Sequence, residues 1–507
     1  MGLMAFHPLF LQWLPLLLLL LPILCLFLLK QKNTQKKIPN LPPRPPTLPI
    51  IGNLHQIGGK APHHSLWKLS QKYGPIMLLK LGQVPTLVIS SSEMAKEVLK
   101  THDHQCCSRP PTEGSRRLSY NFLDVTFSPY SDYWSKMRKI CVSELLSSAR
   151  VRSYRLLRKQ EMTRFINLVS EASPNAINLS ENVCSLIGTI VRRIGCGGTQ
   201  FECGKPEDAI KEAMTMLGSF SAADFFPSFG WIVDVLTGFH ARREKCFRDF
   251  DQFFQRVLDE HLDPSRPIPE HEDIIDVMIQ LSEDQSIAGG LTKDHIKAVL
   301  MNVFLGGINT SAITIVWAMT ELSRNPPVMK KLQAEIRTCV GKKAMVEESD
   351  IENLHYLKLV VKETLRLHPP AVLLLPHETM VQCKIGGYDV HPKTRIHVNA
   401  WAINRDPRNW KEPEEFIPER FENGCIDFKG QHFEFLTFGA GRRICPGLVM
   451  GTTNVEFVLA NLLYCFDWGL PSGMKIEDIS LEEEGTFTVY RKLPLYLVPI
   501  KLAGLEG

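Results

Sequence analysis

The chain lacks any CxxC pair and any Cys/His cluster of the zinc-finger kind, although it carries thirteen cysteines among 507 residues. Scattered and odd in number, these cysteines do not make the framework of a small disulfide-rich secreted domain. They fit a reduced, cytosol-facing chain. A long Lys/Arg run is also missing and the formal net charge is only +4, so there is no electrostatic footprint for nucleic acid. Two Asn-x-Ser/Thr triplets, at Asn178 and Asn309, would mark secretion in exposed loops. The second falls inside a long helical pattern, and both are read as chance.

Apolar residues are concentrated at the start. Pro8 to Leu29 is almost wholly apolar, close to the ~20 residues a helix needs to cross a bilayer. A cleaved signal peptide has a shorter apolar region, ~7–15 residues, with positive charge before it. Here Lys30, Lys32, Lys36 and Lys37 follow it. The expectation is a transmembrane anchor over residues 1–29, with everything after it in the cytosol by the positive-inside rule. Residues 30–50 are a basic, proline-rich hinge, because the prolines from Pro39 to Pro46 break helix and sheet alike. No repeat or composition shift divides residues 51–507, which are expected to form one domain.

Pro75 to Leu81 and Thr86 to Ser90 read as a hairpin around Gly82. Helical periodicity dominates from about residue 92. The clearest helix runs from a Thr292 N-cap to Arg324, where Asn325-Pro326-Pro327 stops it. At ~1.5 Å per residue it is roughly 50 Å long, enough to cross the domain. The expected fold class is mainly α with small β-sheets.

The chemistry gathers near the C-terminus, in Phe438-Gly439-Ala440-Gly441-Arg442-Arg443-Ile444-Cys445-Pro446-Gly447. Glycines let a backbone curl close to a ligand and aim amides at a negatively charged sulfur. A proline at the first helical position starts the next helix and places the Cys445 sulfur near the positive end of its dipole. Arg443 is close enough to neutralise a carboxylate of the same ligand. Taken alone, such a loop is more often structural than ligating.

Phe438, Gly441, Arg443, Cys445 and Gly447 fall on the fixed positions of the cytochrome P-450 haem-binding loop, and the chain resembles that family from its anchor to its C-terminal strands. It is similar to the plant A-type microsomal branch. The resemblance implies the cytochrome P-450 fold preceded by one N-terminal transmembrane helix, and a haem-thiolate catalytic domain over 51–507. It also implies haem b (iron protoporphyrin IX) ligated by Cys445, with Phe438 and Gly439 beside it. Electrons would come from NADPH through NADPH-cytochrome P-450 reductase, with cytochrome b5 as a second candidate donor. The location implied is the endoplasmic reticulum membrane, single-pass, with the catalytic domain cytosolic.

Other positions follow from the same resemblance. Glu363 and Arg366 match the family's Glu-x-x-Arg pair, joined by Arg420 into a structural triad; their i, i+3 spacing puts the first two on one helix face. Trp134 and Arg138 match its Trp-x-x-x-Arg helix, which reaches a haem propionate. Gly306 to Ser311 matches the oxygen-activation motif, with Thr310 ordering the proton-delivering water. Asn309 stands where an acid usually precedes that threonine, and an amide does not relay protons by ionising. The glycine pair at 306 and 307 is costly in a helix, by ~1 kcal/mol each, for function or for tight packing. His377 replaces a common arginine facing a propionate; the alternative is an ordinary loop histidine.

The family's substrate contacts fall here on Leu118, Phe122, Leu217, Phe220, Phe304, Gly306, Val372, Leu373 and Phe487, with plain core packing as the alternative for any of them. Such a pocket suits a lipophilic terpenoid, indole alkaloid or phenolic better than a sugar or nucleotide. Lys136, Lys139 and Arg442 are expected to help dock the acidic reductase. Two other functions fit less of the pattern: a haem-thiolate isomerase or dehydratase working without O2, and a non-catalytic haem-binding membrane protein.

Overall fold

Two strands separated by a forced turn begin the fold. β1 (Ile76–Leu81) and β2 (Val84–Ile89) pair antiparallel from Ile76↔Ile89 to Leu81↔Val84. Gly82 turns at φ +60, and a Cβ there would lie 2.5 Å from the Phe225 carbonyl oxygen, so a side chain has no room. β3 (His377–Glu378) and β4 (Arg395–Val398) complete a sheet of order β1-β2-β4-β3, in which only the β2–β4 pairing is parallel. The computed structural model describes residues 40–58, 61–197, 206–267, 269, 271–283, 290–485 and 487–502. The anchor expected over 1–29 and the start of the hinge lie outside the described residues. The rest of the expected hinge is docked: the Pro43 carbonyl accepts from Leu78 N–H at 2.9 Å and that of Asn40 from Asp389 N–H at 2.8 Å.

Helices make up most of the remainder. Those that position the site are α1 (Pro62–Tyr73), α2 (Asp132–Ile140), α3 (Leu179–Cys196), α4 (Phe239–His261), α5 (Lys293–Arg324), α6 (His355–Leu367) and α7 (Leu448–Cys465). α5 has the bounds its sequence predicts. At its start the Thr292 N–H donates to His295 Nδ1 at 3.1 Å, and at its end Asn325 gives way to Pro326, where the next helix begins. α5 and α7 are long and apolar enough to span a membrane by composition alone, yet 67% of the most apolar window of each is buried in the protein. They are buried because they are apolar nearly all round, as core helices are. A short hairpin, β5 (Glu483–Glu484) and β6 (Tyr490–Arg491), closes over this core.

Behind α6 lies a buried electrostatic knot. Glu363 and Arg366 are both fully buried and pair bidentately at 2.8 Å, while Arg420 Nε reaches Glu363 Oε1 at 2.9 Å. Ile417 N–H donates to that same oxygen. Arg366 spends its remaining hydrogens on the carbonyls of Asn404, Pro413 and Glu415. Every charge in the knot therefore has its counterion and its hydrogen bonds, the condition under which buried ion pairs are tolerated.

Candidate active site

The 438–447 loop is built by two glycines in left-handed conformations, Gly439 at φ +71 and Gly441 at φ +68. At Gly441 a Cβ would lie 2.3 Å from the Leu99 carbonyl oxygen, so that close approach requires glycine. The Cys445 N–H donates to the Phe438 carbonyl at 2.9 Å, closing the loop. α7 begins at Leu448 with Gly447 as N-cap, so Pro446 stands before the cap and not at the expected first helical position. The Gly447 amide turns to the Cys445 sulfur instead of into the helix. Burial pushes this thiol up; the Gly447 amide and the Arg138 guanidinium pull it back toward the thiolate.

Cys445 borders a cavity of about 290 Å³ that α5 flanks with Gly306, Gly307 and Thr310. The two glycines serve different purposes. A Cβ at Gly306 would meet nothing within 4 Å, whereas one at Gly307 would meet both methyls of Val191 on α3 at 3.4 Å. The first keeps space beside the cavity and the second lets two helices approach. Thr310 Oγ1 donates to the Gly306 carbonyl at 2.6 Å. Asn309, about 100° round the helix from Thr310, is not among the cavity-lining residues. Ser311 is, and its buried hydroxyl has no hydrogen-bond partner among the described residues.

Arg109, Arg138, Arg443 and His377 also line the cavity. Their hydrogen bonds go to backbone carbonyls: Arg109 to Thr126, Leu375 and Pro376, Arg443 to Cys107, Val125 and Ser128, Arg138 to Ile444. Burial pulls Arg443 down to about 10 and Arg109 well below its ordinary value. The buried carboxylate that acts on both, Asp124, is itself pushed up to about 6 by burial and accepts from Asn302, Phe127 and Ser128. Buried cations so short of anions fit a ligand bearing two carboxylates. With Cys445 facing the same space, the residues present fit haem b.

His377 needs a particular protonation state in that role. Its Nδ1 lies 3.0 Å from the Cys106 carbonyl and so carries a hydrogen. Burial, then Arg109, pulls the ring far below its ordinary value. The neutral ring thus offers a lone pair at Nε2, and it donates to a carboxylate there only after gaining a second proton. Trp134 stands one layer back. Its Nε1 donates to the Val125 carbonyl at 2.9 Å and the Arg443 guanidinium lies 3.9 Å above its ring, so it orients an arginine and does not border the cavity.

Of the expected substrate contacts, Leu217, Gly306 and Phe487 line the cavity. Leu118 and Val372 are 1% exposed and packed in the interior, while their neighbours Ala371 and Leu374 do reach the cavity. Phe304 packs edge-on against Phe253 and Phe254 of α4. Phe220 is 53% exposed and stacks on Phe225. Leu373 joins the cluster around Leu66 and Met77. Phe122 sits at φ +66, outside the lining. Sequence reasoning missed Arg109 and Asn302, both in the lining. Arg109 had no local signal, since its partners Leu375 and Pro376 lie more than 260 residues away.

Comparison with known proteins agrees with this geometry. A family model described as "Cytochrome P450" matches residues 42–497. The chain is 50% identical over 497 residues to 2-methylbutanal oxime monooxygenase of Manihot esculenta, covering 97% of each. It is 48% identical over 509 residues to 4-hydroxyphenylacetaldehyde oxime monooxygenase of Sorghum bicolor, covering 97% of this chain and 96% of that one. With Cytochrome P450 71B10 of Arabidopsis thaliana it shares 51% over 500 residues, covering 96% and 99%. Among solved structures, a zebra fish cytochrome P450 with abiraterone superposes at TM-score 0.73 and 24% identity, covering 88% of this chain and all of the other.

Proposed function

The chain belongs to the cytochrome P450 family, a haem b monooxygenase supplied with electrons by a reductase, and from that premise we propose that it oxidises a lipophilic plant specialised metabolite. The observation that carries the reading is one cavity bordered by Cys445, by Thr310 and by apolar side chains such as Leu217, Val303 and Phe487. Indoles, terpenoids and phenolics suit such walls. Aldehyde oximes come first in the screen, because two relatives near 50% identity are named for them.

Cys445 is the proposed iron ligand, and the Arg109, Arg138, Arg443 and His377 group the proposed holder of the carboxylates. Bound there, the haem supplies the activation of O2. The chain's own part is to orient and to move protons. Thr310 Oγ1 can swing its hydrogen from the Gly306 carbonyl toward a ligand in the cavity and accept another in return. Ser311 offers a second hydroxyl on the same helix, one without a hydrogen-bond partner among the described residues. With Asn309 outside the lining, proton delivery at this point runs through hydroxyls and water and not through a neighbouring carboxylate. The apolar walls exclude bulk water and hold the substrate near Gly306, where the missing side chain leaves room.

Two surfaces support the wider reading. Leu48, Ile50, Phe229, Trp231, Val235 and Leu236 are large, apolar and exposed. The β1–β2 turn joins their two stretches, Gly82 N–H donating to Ile51 and Gln83 N–H to Phe225. A patch of this kind suits contact with a bilayer, in keeping with an N-terminal anchor in the endoplasmic reticulum membrane. On α2, Lys136 and Lys139 are exposed, and Arg138 ties that helix to the Cys445 loop through Ile444. Arg442 beside them is partly neutralised by Asp103 at 2.8 Å. The two lysines are thus the stronger candidates for docking an acidic reductase.

The test is the reduced, carbon-monoxide-bound absorption spectrum in membranes, followed by product formation with and without NADPH and reductase. A red-shifted Soret band and NADPH-dependent turnover of an oxime or other lipophilic metabolite support the proposal. Turnover that persists without NADPH and reductase would replace it with an isomerase or dehydratase.

A further inference from the structure

Three turns beyond Thr310 on α5, groups from remote segments meet. His368, the C-cap of α6, stacks on Trp317 with centroids 3.8 Å apart and planes 3° from parallel. Its Nε2 lies 2.7 Å from Glu321 Oε1. An ionised carboxylate only accepts, so that Nε2 carries the hydrogen. His368 Nδ1 lies 3.9 Å from Glu483 Oε1. The other oxygen of Glu483 accepts from His63 Nε2 at 3.1 Å, a hydrogen that a metal would displace, and lies 3.6 Å from His64 Nε2. The ligand atoms of His63, His64 and Glu483 all lie within 4.8 Å of one another. His63 is fully buried, and its Nδ1, His64 Nε2 and His368 Nδ1 have no hydrogen-bond partner among the described residues. A cation beside the His64 nitrogen and the Glu483 carboxylate would give that nitrogen a partner.

We propose that His63, His64 and Glu483 bind one divalent transition metal, zinc by the chemistry of its ligands, with a fourth position left to water. Imidazole nitrogens with a single carboxylate suit zinc better than magnesium or calcium, which prefer oxygen. Tetrahedral zinc with ligands at ~2.0–2.1 Å holds them roughly 3.3 Å apart, and Glu483 Oε2 lies 3.1 Å from His63 Nε2 and 3.6 Å from His64 Nε2. His368, held by Glu321 at 2.7 Å, flanks the site on the side of the other Glu483 oxygen. The other cluster of this kind among the described residues, His261, Asp273 and Asp276, already has its cation: Arg266 pairs with Asp276 and lies 3.8 Å from Asp273. At Glu483 the charge of Arg405 is felt, but that guanidinium hydrogen-bonds Glu414.

Such a site staples α1 to the β5–β6 hairpin. The turn of that hairpin carries Phe487 and Thr488, both in the cavity lining. The metal has no step in the oxidation; it holds a wall of the substrate cavity in place.

The experiment incubates the purified full-length holoenzyme with zinc sulfate, removes free metal by gel filtration, and measures bound zinc, its X-ray absorption fine structure and the thermal midpoint. The expected result is one retained equivalent with a nitrogen and oxygen shell near 2.0 Å, a higher midpoint, and loss of both in His64→Ala and Glu483→Gln. The His64 side chain is 40% exposed, so its alanine variant folds even if Glu483→Gln does not, and the carbon-monoxide band checks each. Retention of no zinc, a sulfur shell near 2.3 Å from the cysteines, or equal zinc in wild type and His64→Ala overturns the proposal. The cluster is then held by the His63–Glu483 and His368–Glu321 hydrogen bonds alone.

Discussion

Replacing Glu363 by glutamine keeps the volume of the knot behind α6 and removes its one negative charge. The carboxylate accepts from Arg366 twice, from Arg420 and from Ile417, and it is fully buried. The amide of the variant turns an NH2 toward a guanidinium and leaves two arginines without an anion. Breaking a buried pair from one side costs ~3–5 kcal/mol. Arg420→Lys keeps the charge beside Glu363 but exchanges the Nε bond to it for a single ammonium and loses the carbonyl contacts to Lys411, Glu412 and Glu415, a loss of about 1–2 kcal/mol. In a chain this long the midpoint moves by only about 1 °C per kcal/mol. Glu363→Gln should thus melt ~3–5 °C early and Arg420→Lys ~1–2 °C early, read by near-ultraviolet circular dichroism at a fixed scan rate, with the thiolate-type band as a second readout. Equal midpoints for Glu363→Gln and wild type would refute the argument that the carboxylate anchors both arginines.

Cys445→Ala should fold, by circular dichroism, and lose the red-shifted carbon-monoxide band; a variant that keeps the band removes Cys445 from the iron. Gly306→Ala should keep or slightly raise the midpoint and change the product profile, since its Cβ meets open space, whereas Gly307→Ala presses on Val191 at 3.4 Å and should lower the midpoint; the reverse order sinks the division of labour between them. Phe487→Ala should shift products, while Val372→Ala should cost ~2 kcal/mol or more of stability and leave the product ratio alone, because only the first lines the cavity. Asp124 has its pKa raised from 3.8 to about 6 in the fold, so the native state binds more protons between those values and stability falls as pH rises through them. In the haem-free protein Asp124→Asn should flatten that fall, worth up to about 3 kcal/mol; an unchanged pH profile would mean that Asp124 does not titrate there.

What was legible in the sequence was what local pattern controls. The β1–β2 hairpin follows from alternation around Gly82, and α5 from a cap, a periodic stretch and a proline stop. The i, i+3 spacing put Glu363 and Arg366 on one face, but that spacing alone favours an exposed pair, and their place in a buried triad came from the family resemblance. The substrate wall was harder. Between Ala371 and Leu374 the chain follows no regular element, so nothing in the pattern says that 371 and 374 face the cavity while 372 and 373 do not. Phe304 and Leu305 show the same limit on a helix: one residue shifts a side chain by about 100°, enough to move it from the lining to the packing against α4. Arg109 was illegible for a different reason, its role being set wholly by contacts distant in sequence.

His63, His64, His368 and Glu483 show why an absence in the sequence is weaker than one in space. The pair of histidines and Glu483 are 420 residues apart, and no ligand spacing of the zinc-finger kind joins them. They meet because α1 packs beside the sheet while the β5–β6 hairpin returns over the end of α6. The same folding event that brings Phe487 to the cavity brings Glu483 to three imidazoles. The state of that cluster, metal-bound or held by hydrogen bonds alone, and the shape of the substrate wall are therefore coupled through a hairpin turn of a few residues. Any change at Glu483 that alters the product profile in step with Phe487→Ala reports on that coupling, with neither His63 nor His64 touching the substrate.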